Sequence, residues 1–206
     1  IKGTESAAVN EEFEAPANAI YAYDFNNGEL PNIFDASDFK VEKGKLRVVG
    51  SAAEINLPNV PKDCTLEFTL KPISGCIVPK FYVNFRGVSD FYYNNKAVMS
   101  EYNTSQIALV NEEDWKMRGN DSWSTVKPHF SDIKEYKLKY IADGTHYEMY
   151  IDNNQIIDAT YDDGAKKSKY PVRIIVSPDK GTVGTIGFYL DNIVVTPLEV
   201  KETESD

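Results

Sequence analysis

The stretch YKLKYIADGTHYEMYIDNNQII, residues 136–157, decides the fold class of this chain. Apolar or aromatic residues fill every second position of two runs that flank Asp143-Gly144, a dipeptide suited to the positive φ angles of a tight hairpin turn. Asp152-Asn153-Asn154 is a second turn signal, because Asn and Asp tolerate the left-handed region. Residues 155–160 then form another short strand. The stretch therefore predicts three consecutive antiparallel strands, a β-meander.

The same period-two pattern recurs along the rest of the chain. Further strands are predicted at residues 20–25, 40–49 (a hairpin), 53–57, 65–70, 81–86, 91–99, 106–110, 172–176 and 185–195. No stretch of roughly 12 or more residues keeps a helical period with caps. The sequence therefore predicts an all-β chain of roughly 12 to 14 strands, folded as a two-sheet antiparallel β-sandwich.

Two local expectations depend on proline and cysteine. Pro58 and Pro61 cannot donate to a ladder, so the strand at residues 53–57 should end before them. If residues 65–70 and 77–85 form a hairpin that turns at residues 72–75, Cys64 and Cys76 lie roughly 20 Å apart. A disulfide needs Cα atoms within about 7 Å, so we expect two buried thiols that are not bonded to each other.

Composition limits the organisation and the partners. With 206 residues, 42% of them hydrophobic, the chain can bury a full core. We expect a flexible tail or linker at residues 1–18, one β-sandwich domain at 19–198, and an acidic tail at 199–206; the tails suggest tethering to other domains of a longer chain. The net charge of −10 disfavours nucleic acid as a partner. No run of about 18 apolar residues exists, so we expect no membrane insertion.

Several segments in order resemble one known superfamily. They are YDFNNG, KVEKGKLRV, LEFTLKP, FYVNFRG, the central hairpin and GFYLDNIVV. This succession resembles the concanavalin A-like jelly-roll superfamily, in particular laminin-G-like domains, over about residues 20–197. The resemblance implies two curved antiparallel sheets whose concave face or edge loops bind glycans, and an extracellular, secreted or surface-attached location.

The enzyme signatures of that superfamily are missing from this sequence. Its retaining glucanases carry a Glu-x-Asp-x-x-Glu strand, its alginate lyases a Gln-Ile-His-type strand, and its keto-glycoside hydrolase-like members a Gly-Tyr-Glu-x-Gln strand. Glu148 and Asp152 share a strand face but lie about 13 Å apart, too far for either glycosidase geometry. We therefore expect no catalytic residues of these types.

Polar and aromatic residues on outward strand faces are the candidate glycan ligands. Such side chains bind sugar hydroxyls or pack on the C–H face of a sugar ring. The candidates are Tyr82, Asn84 and Arg86 on one strand, His146, Glu148 and Tyr150 on another, and Trp115 and Trp123 in a region expected to be largely a long loop. The alternatives are a solvated face with cross-strand pairs, and tryptophans that pack as lids on the core.

A structural calcium ion is the one cofactor that the sequence suggests. Many jelly-roll sugar-binding modules join the turn after the first strand to the last strand through calcium, and Asp24, Asn26 and Asp191 carry oxygen ligands at those places. The alternative is that Asp191-Asn192 hydrogen-bonds the backbone in a bend of the last strand. The two histidines, His129 and His146, do not suggest a zinc site.

The leading hypothesis is a carbohydrate-binding, lectin-like module of a secreted or cell-surface protein that binds a polysaccharide without catalysis. A second hypothesis is a glycoside hydrolase or polysaccharide lyase of the jelly-roll type that uses Glu148, Glu67, Arg86, His146 and a tyrosine. A third is a structural or protein-adhesive domain without a glycan site.

Overall fold

The computed structural model describes residues 13–50, 52–74, 76, 80–85, 106–109, 115–119, 122–126, 135–144, 146–160, 169–177, 185 and 187–199. Every regular secondary-structure element in these residues is a β-strand. They are β1 (Tyr21–Tyr23), β2 (Phe39–Glu42), β3 (Lys45–Val48), β4 (Glu54–Pro61), β5 (Cys64–Pro72), β6 (Lys80–Phe85), β7 (Gln106–Leu109), β8 (Trp115–Gly119), β9 (Ser122–Val126), β10 (Tyr136–Asp143), β11 (His146–Ile151), β12 (Asn154–Thr160), β13 (Lys169–Ser177) and β14 (Phe188–Pro197).

The strands form two layers. The large sheet has eight strands in the order β12-β11-β10-β5-β14-β3-β2, with β1 also paired to β14. The second layer, called here the small layer, contains the sheets β4-β13-β6 and β7-β8-β9, and β7 lies next to β6. Every pairing is antiparallel. The all-β antiparallel sandwich predicted from the sequence is confirmed.

The central hairpin forms as its residue pattern predicts. Tyr136, Leu138 and Tyr140 are buried, and the residues between them are more exposed. Gly144 has a φ of 62° at the first turn, and Asp152 and Asn153 have φ angles of 48° and 63° at the second. Strands β10, β11 and β12 therefore make the expected meander, which occupies one end of the large sheet.

One hydrophobic core joins the two layers. The large sheet contributes aromatic and aliphatic residues such as Phe68 and Leu138, and the small layer contributes Ile55, Val83 and Ile174. Each fully buried side chain of this size contributes about 1.5 to 3 kcal/mol of transfer free energy. The inner faces are therefore committed to packing, so ligand binding must use the outer faces, the loops or the edges.

The predicted end of the strand at residues 53–57 is wrong. Strand β4 continues through Pro58 and Pro61 and pairs with β13. It lies at the edge of its sheet, where a missing N–H costs no ladder bond on the outer side. The Pro58 carbonyl also accepts a hydrogen bond from the Tyr21 hydroxyl at 2.6 Å.

The hairpin considered for residues 65–70 and 77–85 is also wrong. Strand β5 pairs with β10 and β14 in the large sheet, whereas β6 pairs with β13 in the small layer. The chain changes layers between them. Cys64 and Cys76 are nevertheless both thiols, as expected. Cys64 is buried, but the prediction that Cys76 is buried is wrong, because Cys76 is partly exposed.

The prediction of a long loop around the tryptophans is wrong in the residues that the structure describes. Trp115 begins β8 and Trp123 lies within β9, and these strands form a hairpin. The strand predicted at residues 91–99 lies outside the described residues. So do residues 1–12 and 200–206, and the boundaries of the two tails stay predictions. No helix able to cross a membrane occurs in the described part of the chain.

Candidate functional site

The centre of the candidate site is β13, the middle strand of the sheet β4-β13-β6. Val172, Ile174 and Val176 are buried in the core, which turns Arg173 and Ile175 towards the outer face. The Arg173 side chain is 17% exposed, whereas Glu54 beside it is 38% exposed. A largely covered arginine therefore lies on the middle strand of this outer face.

Arg173 is held by two hydrogen bonds to one carboxylate. Its Nε donates to Oε1 of Glu54 and its Nη2 donates to Oε2, both at 2.7 Å. Parallel bonds of this kind fix the plane of the guanidinium as well as its position. The pair consequently presents an oriented set of donors and acceptors on the outer face.

The register sets polar residues on both sides of Arg173. Asn56 on β4 and Asn84 on β6 are its partners in the two neighbouring strands. In the next row, Ile175 lies between Glu54 and Tyr82. Because directly opposed residues share a sheet face, Tyr82 and Asn84 occupy positions in the same rows as Arg173 and Ile175.

The other sheet of the small layer, β7-β8-β9, also has a row with polar residues. In the sheet β7-β8-β9, Arg118 lies between Gln106 and Trp123. The alternate face has a different row, in which Trp115 lies between Leu109 and Val126. Trp123 is therefore in a polar row, whereas Trp115 is in an apolar one.

The other predicted residues lie in the large sheet. His146, Glu148 and Tyr150 share the outer face of β11. The Tyr150 hydroxyl donates to Oε2 of Glu148, and Nδ1 of His146 lies 3.5 Å from Oε1 of the same carboxylate. Gln155 on β12 donates to the Tyr150 hydroxyl oxygen at 3.2 Å. These residues form a cluster of contacts among themselves near the edge of the large sheet.

The structure thus divides the predicted glycan ligands into two sets. Tyr82, Asn84, Trp115 and Trp123 are in the small layer, and His146, Glu148 and Tyr150 are in the large sheet. Arg86 lies outside the described residues. A single groove that contains both sets would have to cross from one layer of the sandwich to the other.

The outer face of the large sheet is crossed by ion pairs. Lys45 bridges Asp191 at 2.9 Å and Glu135 at 3.0 Å. Arg47 binds Glu42 at 2.8 Å. These contacts are the cross-strand pairs of the alternative interpretation, and they use the charges of this face to hold its strands together.

Burial and pairing shift the pKa values at the Lys45 bridge. Burial raises the pKa of the Asp191 carboxyl, and the ammonium of Lys45 opposes that shift. Burial also tends to lower the pKa of Lys45, but hydrogen bonds to Asp191 and Glu135 outweigh it, so that pKa is raised. Lys45 is therefore held in its charged form.

The contacts of Asp191 bear on the calcium prediction. Oδ1 of Asp191 accepts from the backbone N–H of Asn192 at 2.9 Å, and Oδ2 accepts from Lys45. Asn192 has a φ of 49° in a bulge of β14, which is the alternative considered from the sequence. Asp24 accepts from the backbone N–H of Asn26 at 3.2 Å. Both carboxylate oxygens of Asp191 therefore already accept hydrogen bonds within the protein.

Within the described ranges, no group of three or more His, Cys, Asp or Glu side chains is placed to hold a metal. Calcium at Asp24, Asn26 and Asp191 stays a prediction.

Five polar residues of the small layer were missed from the sequence: Glu54, Asn56, Gln106, Arg118 and Arg173. A signal existed for Arg173, because the alternation of Val172, Ile174 and Val176 already places it on the outer face. Its partner Glu54 is 119 residues away in sequence, so no local pattern could have joined them.

Comparisons with known proteins bear on the fold. No protein-family model matches the sequence, and no curated protein matches it. Several solved structures, however, are similar to this chain. A mutant of the alginate lyase Aly36B in complex with alginate tetrasaccharide has a TM-score of 0.59 at 10% identity, covering 92% of this chain and 100% of that one. The carbohydrate recognition domain of Emp47p has a TM-score of 0.58 at 11% identity, covering 90% and 99%.

A sialidase is similar over only part of its length. It has a TM-score of 0.55 at 10% identity, and the match covers 89% of this chain and 19% of the sialidase. At such identities the likeness shows the fold alone. This chain thus has the β-sandwich of the Aly36B and Emp47p domains at nearly their full length.

Proposed function

We propose that this chain is a non-catalytic carbohydrate-binding module of the concanavalin A-like superfamily, which binds a polysaccharide on the outer face of the small layer. The observation that carries the proposal is the Arg173–Glu54 pair at the centre of that face, with Asn56 and Asn84 as register partners of Arg173. Trp123 on β9, beside Arg118 in register, is the aromatic residue that we propose for the second sheet of the small layer. A secreted or cell-surface location is part of the same proposal.

The residue types suit a sugar ligand. Guanidinium and amide groups donate hydrogen bonds to hydroxyls, carboxylates accept them, and an indole packs on the C–H face of a pyranose ring. The Glu54 contact orients Arg173 before any ligand arrives, and such preorganisation lowers the entropic cost of binding. The small layer therefore offers a wide face with oriented polar groups.

Two of the similar structures support a glycan as the ligand. One, the Aly36B mutant, is a complex with alginate tetrasaccharide, and the other is a carbohydrate recognition domain. This chain covers nearly all of each, so the shared fold is a complete domain in both proteins. The fold alone does not carry function, and the proposal depends on the residues of the small layer.

The test is a titration of the wild-type protein and three variants against a panel of polysaccharides. Trp123→Ala and Arg173→Gln should each weaken binding by about tenfold or more, because each removes a group that contacts the sugar. Arg47→Gln is the matched control. Arg47 is also an arginine paired to a glutamate, but it lies in the large sheet, so its loss should leave affinity unchanged.

The alternatives give different results in the same experiment. A structural or adhesive domain would bind no polysaccharide in the panel. An enzyme would release shortened or unsaturated products, and Glu148→Gln would stop that release. Loss of binding in Arg47→Gln with full binding in Arg173→Gln would place the site on the large sheet and refute the proposed location.

A further inference from the structure

The charged pair on the proposed binding face exposes its acid more than its base. The Glu54 side chain is 38% exposed, whereas that of Arg173 is 17% exposed. Nε and Nη2 of Arg173 both donate to the Glu54 carboxylate, each at 2.7 Å. One edge of the guanidinium that can hold a carboxylate through two parallel bonds is therefore already occupied by a side chain of the protein.

An acidic group of a ligand would meet a like charge at this place. It would have to bind Arg173 beside the carboxylate of Glu54, or displace that carboxylate and leave it facing the ligand. Like charges set against each other oppose binding, and a protein can reject a competing ligand in this way. The net charge of −10 adds repulsion of a polyanion at longer range. Both effects act against an anionic glycan.

The same pair suits the hydroxyl groups of an uncharged sugar. A hydroxyl both donates and accepts, so neighbouring hydroxyls can accept from the other N–H groups of Arg173 and donate to Glu54. Asn56 is a register partner of Arg173 and is exposed, and its amide also donates and accepts. These groups can bind hydroxyls without any charge on the ligand.

An apolar side chain lies beside the pair. Ile175 is partly exposed and lies between Glu54 and Tyr82 in register. An aliphatic surface at this place can pack against the C–H groups of a sugar ring. It would make the burial of a charged group less favourable, because it offers that group no hydrogen bond.

We propose, on the basis of the carbohydrate-binding function proposed above, that the glycan bound by the small layer is uncharged and that Glu54 excludes acidic glycans. Glu54 thus has two roles. It holds Arg173 in place for hydroxyl groups, and it neutralises the positive charge that would otherwise bind a carboxylate or sulfate group of a ligand.

The experiment measures binding by calorimetry to matched pairs of oligosaccharides. The panel contains glucan, galactan, mannan and fructan fragments, each beside the same fragment with its primary hydroxyl groups oxidised to carboxylates. The wild-type protein should bind at least one neutral fragment about tenfold or more tightly than its oxidised counterpart. The affinity for the neutral fragment should change little as the salt concentration rises, because no charge is paired on binding.

Two variants with the same change in net charge test the role of Glu54. Glu54→Gln frees the charge of Arg173 and should increase the affinity for the oxidised fragment by about tenfold. Glu42→Gln is the matched control, because it frees the charge of Arg47 in the large sheet. It should change that affinity less than about twofold. Asn56→Lys adds a positive charge at an exposed position of β4 without removing the pair, and it should act in the same direction as Glu54→Gln.

The outcomes separate this inference from the function that it depends on. Preference for a neutral fragment together with the gain in Glu54→Gln supports it. Equal or tighter binding of an oxidised fragment by the wild-type protein overturns the inference and leaves the carbohydrate-binding function standing. A folded Glu54→Gln without a gain, or an equal gain in Glu42→Gln, also overturns it. If Glu54→Gln does not fold, the wild-type comparison and Asn56→Lys decide, and binding of no fragment refutes both proposals.

Discussion

The outer faces of the two layers use charged residues in different ways. On the large sheet, Lys45 contacts two carboxylates and Arg47 contacts one, so these charges join neighbouring strands. On the small layer, Arg173 is also paired with a carboxylate, that of Glu54, but its register partners are the amides Asn56 and Asn84, whereas those of Arg47 are Lys40 and Tyr189. Charged pairs thus join neighbouring strands in both layers, and the difference lies in the polar residues beside the arginine.

The largest expected effect on stability comes from Lys45. Lys45→Met leaves Asp191, which is largely buried, without its cation. The variant should lose about 1 to 2 kcal/mol of unfolding free energy, a range reduced for solvent screening of a partly exposed lysine. Urea denaturation measures this change.

Glycan affinity of the same variant should equal that of the wild type, because Lys45 belongs to the large sheet. A variant that keeps its stability but loses affinity would reverse the division of roles between the two layers.

The pH dependence of that stability difference is the next test. The folded protein raises the pKa of Lys45, so the contribution of the bridge is complete below the ordinary lysine value of 10.5 and is lost as pH rises through the raised value. The difference in unfolding free energy between wild type and Lys45→Met should be constant near neutral pH and shrink above pH 10.5. A difference that stays constant into strongly alkaline solution would show that packing, and not charge, explains it.

A smaller effect is expected at the β11 cluster. Glu148→Gln keeps an oxygen that can accept from the Tyr150 hydroxyl but removes the charge beside His146. The variant should lose about 0.5 kcal/mol of stability and keep its affinity for the glycan. Thermal unfolding measures the loss of stability, and calorimetric titration measures the affinity for the glycan. A large loss of affinity would extend the binding face to the large sheet.

The smallest effect is expected at the exposed pair on β2. Lys40 lies 3.6 Å from Glu42, and its side chain is 51% exposed. Water screens such a pair, so Lys40→Met should leave the melting temperature unchanged within the error of calorimetry. A clear drop would mean that exposed pairs also hold this sheet, and the contrast with Lys45 would disappear.

The prediction from the sequence was most accurate where a pattern is local. The meander at residues 136–157, the turn at Gly144 and the hairpin with its turn at Gly44 all follow from alternation and turn residues, and the structure has them. The predictions failed where pairing partners had to be chosen. The assumed hairpin of residues 65–70 and 77–85 is two strands in different layers, and the tryptophan loop is a pair of strands.

The candidate site shows the same limit. Tyr82, Asn84 and Trp123 could be selected because their residue types and positions suit a sugar-binding face. Arg173 and Glu54 could not be joined from the sequence, because they are 119 residues apart and meet only through the pairing of β4 with β13.

The sequence by itself determined that the chain is all-β, where the central meander turns, and which side of several strands faces the core. These properties follow from backbone sterics and from side chains that alternate along a strand, both of which act over a few residues. Only the tertiary structure decided that Lys45 meets Asp191 and that Arg173 meets Glu54. Strand order depends on how the whole chain buries its apolar faces, and no local pattern contains that information.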